Sequence, residues 1–453
     1  MSENTIVILG NGISGVTCAR HIRKNNPNIT ITIVSAETRH FFSRTALMYI
    51  YMGHMKYEHT KPYADDFWEK NDIKLLFGWV KAIDFSNQEL NFEDGEVVSY
   101  KQLVLATGSK PNMFGWPGQD LNGVQGLYSY QDLLNMEKNT QDIQHAVLVG
   151  GGLIGVEMAE MLASRKIPVT FLVREKGFWD NILPKEEAAL VGRHIREHHI
   201  DLKLDTELKE IIGDEKGQVK AVKTSHGEII NCQFVGLTAG VSPNIALFKN
   251  SDLNTNRGIL VDDQFRTNLP NVYAIGDCAE FNKPPGKDRK NIEQVWYTGR
   301  MHGETLAHNL THEKKVGYTP GIWFNSAKFF DIEYQTYGHV PPTWENPTRS
   351  FYWESASGKV ALRFLFDQED RILGMNAFGW RMRHEFFDRA IKEGWKADRV
   401  IGQLDKANFN PEFHKKFYKQ LLDKYNSENG TSIPLPRQSF IQKLIGSRSW
   451  NRT

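Results

Sequence analysis

Thr5-Ile6-Val7-Ile8-Leu9-Gly10-Asn11-Gly12-Ile13-Ser14-Gly15 decides how this chain is read. A β-branched, aliphatic run enters a glycine-rich turn, and residues with a helix-like pattern follow. This is the strand–turn–helix signature of a dinucleotide-binding βαβ unit. Gly10 permits the tight turn, Gly12 lets the backbone approach a pyrophosphate, and Gly15 lets the helix pack close. The anion sits on the free N–H groups of the helix start, at Ile13 and Ser14. An acid about 20 residues further on should bind the ribose. Glu37 lies close to that spacing, just past the strand-like run Ile31 to Val34. Taken alone, such a loop also reads as an ordinary strand-to-helix turn.

The same geometry recurs. Ala146-Val147-Leu148-Val149 leads into Gly150-Gly151-Gly152-Leu153-Ile154-Gly155. Gly150, Gly152 and Gly155 take the three glycine roles, and Leu153 and Ile154 open the helix. Two such loops in one chain imply two dinucleotides held at once, with electrons passing between bound cofactors. The strand following the second loop, Val169 to Val173, ends on an apolar residue where an acid would bond a 2′-hydroxyl and repel a 2′-phosphate. Arg174 follows and offers a guanidinium to that phosphate. The pair favours NADPH; otherwise Arg174 is a surface charge and NADH is used.

The 453 residues predict two or three domains. A hydrophobic content of 40% and a net charge of +1 suit a soluble globular protein and give no support to nucleic-acid or membrane-surface binding. The apolar runs are too short to span a bilayer. The chain enters a strand almost at once, leaving no room for a secretory signal, so the cytoplasm is the expected location. Cys18, Cys232 and Cys278 have no zinc or redox spacing, which leaves packed structural thiols as the reading and no metal site.

Beyond the first βαβ unit, residues 73 to 105 alternate like strands and end at Ala106-Thr107-Gly108. The Gly/Pro-rich stretch 115 to 124, with Trp116-Pro117-Gly118, reads as a crossing between domains. The second unit runs through a helix at Lys185 to His198 and ends near Ala239-Gly240-Val241, with Gly240 counted among its cofactor-binding residues. The strand Val272 to Ile275 precedes Gly276-Asp277. The expected fold is α/β: two Rossmann-like, three-layer ββα domains, one inserted in the other, plus a C-terminal α+β domain. The boundaries are 1–114 with 245–318, 115–244, and 319–430, followed by a basic tail at 431–453. In the C-terminal part, the segment Val360 to Phe364 and a turn at Asp367 to Asp370 predict antiparallel strands. Helices are expected at Arg383 to Glu393 and Pro411 to Tyr425. The tail carries Arg437, Lys443, Arg448 and Arg452 and reads as a packed or solvated end, or as a partner- or membrane-docking helix.

The two loops, the Leu103 to Pro111 segment, and the Arg266 to Ala279 segment occur in an order that resembles the two-dinucleotide-domain flavoproteins, the pyridine nucleotide-disulfide oxidoreductase superfamily. That resemblance covers roughly residues 4 to 315. It implies FAD on the first domain and NAD(P)H on the second. It also implies that Asp277 bonds the ribityl–phosphate region of the flavin, that Ala106-Thr107-Gly108 passes beside FAD, and that Glu157 lies at the nicotinamide–flavin contact. For Glu157 the competing reading is a surface glutamate on an amphipathic helix.

Disulfide reductases of the superfamily carry a cysteine pair beside the flavin, and NADH oxidases and peroxidases a single one. Here Phe42-Ser43-Arg44-Thr45-Ala46-Leu47 has an arginine at that position. Thiol–disulfide exchange needs a thiolate, which argues against the dithiol route. The segment is similar to that of rubredoxin and ferredoxin reductases and nitrite reductase flavin domains. Their lysine five residues after the arginine is replaced by Tyr49, so a lysine–glutamate pair with Glu157 is not carried over. Arg44 is a catalytic candidate that stabilises an anionic reduced flavin or receives an acidic acceptor, or it is a cofactor-binding residue that bridges to the FAD phosphates. Trp296 either stacks on the flavin ring or sits in the core. Trp323-Phe324-Asn325-Ser326 and Gln335-Thr336-Tyr337-Gly338 resemble the start of the reductase C-terminal domain.

The expected function is FAD-dependent NAD(P)H oxidation, with electrons leaving for an external acceptor of ferredoxin or rubredoxin type, in a monomer or homodimer. The alternatives are an oxidase or quinone-like small-molecule reductase, and a redox-gated flavin-bound interaction protein similar to apoptosis-inducing factors.

Overall fold

Thr5–Leu9 is the central strand of a five-stranded sheet ordered Val272–Ala274, Gln102–Leu105, Thr5–Leu9, Thr30–Ser35, Ile73–Phe77. Every pairing in it is parallel. Parallel strands covered on both faces read as continuous apolar runs, and Ile6, Val7 and Ile8 are each at most 1% exposed. The helix Ile13–Asn25 packs against the helix Trp296–Thr311. A three-stranded antiparallel sheet, Val80–Asp84, Glu89–Phe92 and Val97–Ser99, adds Val80, Leu90 and Phe92 to the same core. A computed structural model of the chain gives this arrangement and describes residues 5–410 and 415–435.

A second parallel sheet follows the same plan, in the order Asp201–Lys203, Val169–Leu172, Ala146–Val149, Phe234–Leu237, Val124–Gln125. Its antiparallel layer is Leu208–Gly213, Val219–Thr224 and Ile229–Asn231. The chain leaves the first fold through Ser109–Pro111 and returns through Val241–Pro243. These two segments pair antiparallel, so the outgoing and returning crossings form one two-stranded joint. One dinucleotide fold is therefore inserted in the other, as the sequence predicts.

The C-terminal sheet is antiparallel, ordered Phe324–Phe329, Ile332–Gly338, Ile372–Phe378, Ala361–Phe366, Arg349–Glu354. The Asp367 to Asp370 turn closes with Asp370 N–H donating to the Asp367 carbonyl at 3.0 Å. The helices His384–Lys392 and Lys415–Asn429 lie within the C-terminal stretches expected to be helical or begin just inside them. Residues up to Trp179 with Gly192–Gly321 form one compact unit, and Asp180–Val191 with the described residues from Ile322 form the other. The basic positions Arg437, Lys443, Arg448 and Arg452 lie outside the described residues. Among the described residues, no helix is long and apolar enough to cross a membrane.

Candidate active site

At its three fingerprint positions each glycine loop has two packed glycines and one open one. At Gly10, with φ +121°, a Cβ would overlap the Ala106 carbonyl, and at Gly15 one would overlap the Gly10 carbonyl. Gly12 caps the helix, and a Cβ there meets nothing within 4 Å. The second loop repeats this. Gly150 and Gly155 are crowded, whereas Gly152, the cap, has its nearest neighbour at 3.9 Å. Neither helix has an acid in its first turn, and neither cap supplies a side-chain oxygen. The orphan N–H groups that every helix start leaves, at Ile13 and Ser14 and at Leu153 and Ile154, therefore face an open cradle suited to an anion. These residues fit the pyrophosphates of two dinucleotides. Asn11 holds the first loop in place, its Nδ2 donating to the Thr38 carbonyl at 2.7 Å.

Glu37 and Arg44 meet past the end of strand Thr30–Ser35. Arg44 Nη1 donates to Glu37 Oε1 at 2.8 Å and Nη2 to Oε2 at 2.6 Å. Burial opposes the Arg44 charge, but the hydrogen bond and attraction of Glu37 hold its pKa above the usual value. The Tyr130 N–H adds a third bond to Glu37, at 2.8 Å. Arg44 also donates to the Tyr128 carbonyl at 2.5 Å, and its guanidinium lies 4.4 Å from the Tyr128 ring centroid.

Tyr128 carries this network onward to Asp277. Its hydroxyl accepts from the Ser109 N–H at 3.0 Å and donates to Asp277 Oδ2 at 3.3 Å. The Ser109 hydroxyl donates to the same Asp277 oxygen at 3.0 Å and accepts from Gln294 Nε2 at 2.8 Å. Burial pushes the Asp277 carboxyl up, against the pull of Ser109, Arg44 and Tyr128. Gly276 precedes it with φ +73°, and a Cβ there would overlap the Ser14 hydroxyl, so Asp277 stands beside the first glycine loop. Thr107 donates from Oγ1 to the Asn244 carbonyl at 2.8 Å, and Gly108 lies under the Tyr128 hydroxyl. Glu37, Arg44, Ala106 to Gly108 and Gly276-Asp277 are thus brought to one end of the first parallel sheet.

The remaining predicted residues lie elsewhere. Glu157 is half-buried in the second turn of helix Leu153–Ser164, which packs against the Leu47–Tyr51 helix carrying Tyr49. Arg174, with a 72% exposed side chain, bonds Glu175 at 2.9 Å. Val173 is fully buried. Gly240 has φ +84° with Asn112 Nδ2 nearby, and Asn112 donates to the Ala239 carbonyl at 3.1 Å. Trp296 is 36% exposed and meets the Tyr297 ring edge-on. All three cysteines are free and buried, and burial pushes each thiol up, Cys232 to about 12.

Tyr128, Ser109 and Gln294 were not anticipated. No local pattern marks them, because Tyr128 and Asp277 are 149 positions apart and meet only through the fold.

One dinucleotide fold inserted in the other, two open phosphate cradles and a half-buried acid beside the first suit a protein that holds two dinucleotides at once. The family described as pyridine nucleotide-disulphide oxidoreductase matches residues 4–303, and the chain belongs to it. The chain is 29% identical over 396 residues to the assimilatory nitrate reductase electron transfer subunit of Bacillus subtilis, covering 87% of this chain and 50% of that protein. It therefore spans only half the length of that relative. It is 31% identical to the rubredoxin-NAD(+) reductase of Acinetobacter baylyi, over 68% of this chain and 79% of that one. A ferredoxin reductase from Rhodopseudomonas palustris superposes with a TM-score of 0.76 at 20% identity, covering 90% and 96% of the two chains.

Proposed function

We propose that this chain oxidises NADPH through bound FAD and delivers the electrons to a small electron-transfer protein of ferredoxin or rubredoxin type, with no disulfide between. When bound, FAD supplies the step that takes a hydride from the nicotinamide and lets electrons leave singly. Gly10 to Gly15 would hold the FAD pyrophosphate, Glu37 the ribose, and Asp277 the ribityl–phosphate region. Arg44 keeps Glu37 oriented and places positive charge in the same pocket. Gly150 to Gly155 would hold the second pyrophosphate, with Glu157 on the following helix. Val173 removes the carboxylate that would repel a 2′-phosphate, and Arg174 is exposed to bind one.

The observation that carries the reading is the thiol inventory. Every cysteine is buried with its thiol pushed up, and a thiolate is the species that relays electrons through a disulfide. The relatives named for electron transfer and rubredoxin reduction support a protein acceptor. The test is stopped-flow reduction by NADPH and by NADH, followed by anaerobic mixing with ferredoxin, rubredoxin and a quinone, and separately with oxygen. Fast reduction by NADPH and fast reoxidation by an iron–sulfur protein are expected. Reoxidation by oxygen alone overturns the protein-acceptor reading.

A further inference from the structure

Behind the Asp277 turn lies a buried histidine that the site described above does not use. His302 is fully buried, on the helix Trp296–Thr311. Its ring is enclosed by Phe265, Phe281 and Tyr318, with centroids at 4.8, 5.5 and 4.6 Å. In this apolar cage the imidazole has two polar neighbours. Nδ1 accepts the Gly276 N–H at 3.1 Å, and Nε2 lies 3.6 Å from Glu293 Oε2. An accepting Nδ1 puts the ring proton on Nε2, facing the carboxylate. Burial pushes the His302 pKa down, which keeps the ring neutral despite Glu293.

Glu293 is itself fixed. Arg289 Nε donates to Oε1 at 2.5 Å, and the Tyr318 hydroxyl donates to Oε2 at 3.0 Å. The next residue, Gln294, reaches Ser109, which donates to Asp277. A contact route through His302 and a hydrogen-bonded route through Ser109, from the adjacent residues 293 and 294, therefore converge on 276–277. One enters through the backbone of Gly276 and the other through the Asp277 carboxylate.

We propose that His302 is a positioning residue for the flavin pocket: by accepting the Gly276 N–H through Nδ1, it fixes the left-handed turn that aims the Asp277 carboxylate. Without that acceptor, a buried N–H is left unbonded, which is costly enough to shift the turn. The proposal rests on Asp277 holding FAD, so the Asp277 variant belongs in the same experiment.

Asparagine and glutamine separate the two nitrogens. His302→Asn places an oxygen near the Nδ1 position and keeps an acceptor for Gly276. His302→Gln reaches the Nε2 position and leaves the Gly276 N–H unpaired. The readout is FAD release from purified holoenzyme after dilution, followed by free-flavin fluorescence, for wild type, Asp277→Ala, His302→Asn and His302→Gln. Release at least about tenfold faster is expected for Asp277→Ala and His302→Gln, and within about threefold of wild type for His302→Asn. If His302→Gln does not fold, His302→Phe, which fits the aromatic cage and lacks both nitrogens, takes its place. Wild-type release from Asp277→Ala overturns both the Asp277 role and the proposal. Fast release from Asp277→Ala, with His302→Gln or His302→Phe as slow as wild type, or with His302→Asn as fast as they are, overturns the His302 role alone.

Discussion

Arg44 grips Glu37 at two points, through parallel bonds of 2.8 and 2.6 Å, with the two side chains 29% and 21% exposed. The two residues were recognised from separate motifs, one as a ribose acid and the other at the position of an absent cysteine. Their pairing makes them one device. A two-point fork fixes the direction of a carboxylate as well as its charge. Substituting either partner therefore removes most of what both contribute to FAD binding. Glu37→Gln and Arg44→Ala are each expected to weaken FAD binding about tenfold, and the double variant about tenfold again relative to wild type rather than a hundredfold. Titration by flavin fluorescence quenching measures this. Fully multiplicative losses would show two independent contacts.

The glycine loops were legible because their constraint is local: a strand, a turn that crowds any Cβ, and a helix start. The doubly wound sheets were legible for the same reason, since buried parallel strands such as Ile6 to Ile8 must be apolar throughout. The bridge from Arg44 through Tyr128 to Asp277 was not, because it joins three stretches with no shared period. Nor was the grouping of Asp180–Val191 with the C-terminal sheet. Within that unit Arg363 meets Glu187, 176 positions away. Long-range polar pairs leave no periodic trace in a single sequence.

Arg174 has a mostly exposed side chain paired with Glu175, while Val173 is buried. A charge-assisted bond to a phosphate is worth about 1.5 kcal/mol, or roughly tenfold in affinity. Arg174→Ala should raise the KM for NADPH about tenfold and leave that for NADH within about twofold. Equal changes for both nucleotides in steady-state assays would remove Arg174 from the phosphate site.

Glu187 is fully buried in the C-terminal unit, accepting from Arg363 Nε at 3.1 Å and Asn376 Nδ2 at 2.9 Å. Burial outweighs these partners and raises its carboxyl from the ordinary 4.5 to about 7. The folded state therefore binds this proton more tightly than the unfolded state. Its contribution is fully present below the ordinary value and is lost as pH rises towards 7. Between pH 5 and pH 8 this group alone removes about 2 kcal/mol, at 1.36 kcal/mol per pKa unit. Glu187→Gln cannot ionise. Its stability relative to wild type should therefore improve by about that amount over the same interval. Calorimetry of the C-terminal transition at the two pH values reads the difference, and a pH-independent offset would contradict it.

Arg165 lies at the contact between the Arg44 segment and the second glycine-loop helix. Its guanidinium sits 3.5 Å from the Tyr51 ring centroid, and Nη2 donates to the Tyr51 carbonyl at 2.5 Å and to Glu137 at 2.6 Å. The Tyr51 hydroxyl is bonded to Thr140 Oγ1 at 2.6 Å. The end of helix Leu47–Tyr51 is thereby tied to the ends of Tyr130–Asn139 and Leu153–Ser164. Reacting groups held by different folds tolerate little misplacement, and about 1 Å can cost a hundredfold in rate. Arg165→Ala is therefore expected to slow flavin reduction at saturating NADPH by about tenfold or more, with FAD and NADPH affinities within about twofold of wild type. Lysine should not rescue it, because an ammonium neither stacks flat on the ring nor forks between two acceptors. A lower melting temperature with an unchanged reduction rate would make this joint a stabilising contact and nothing more.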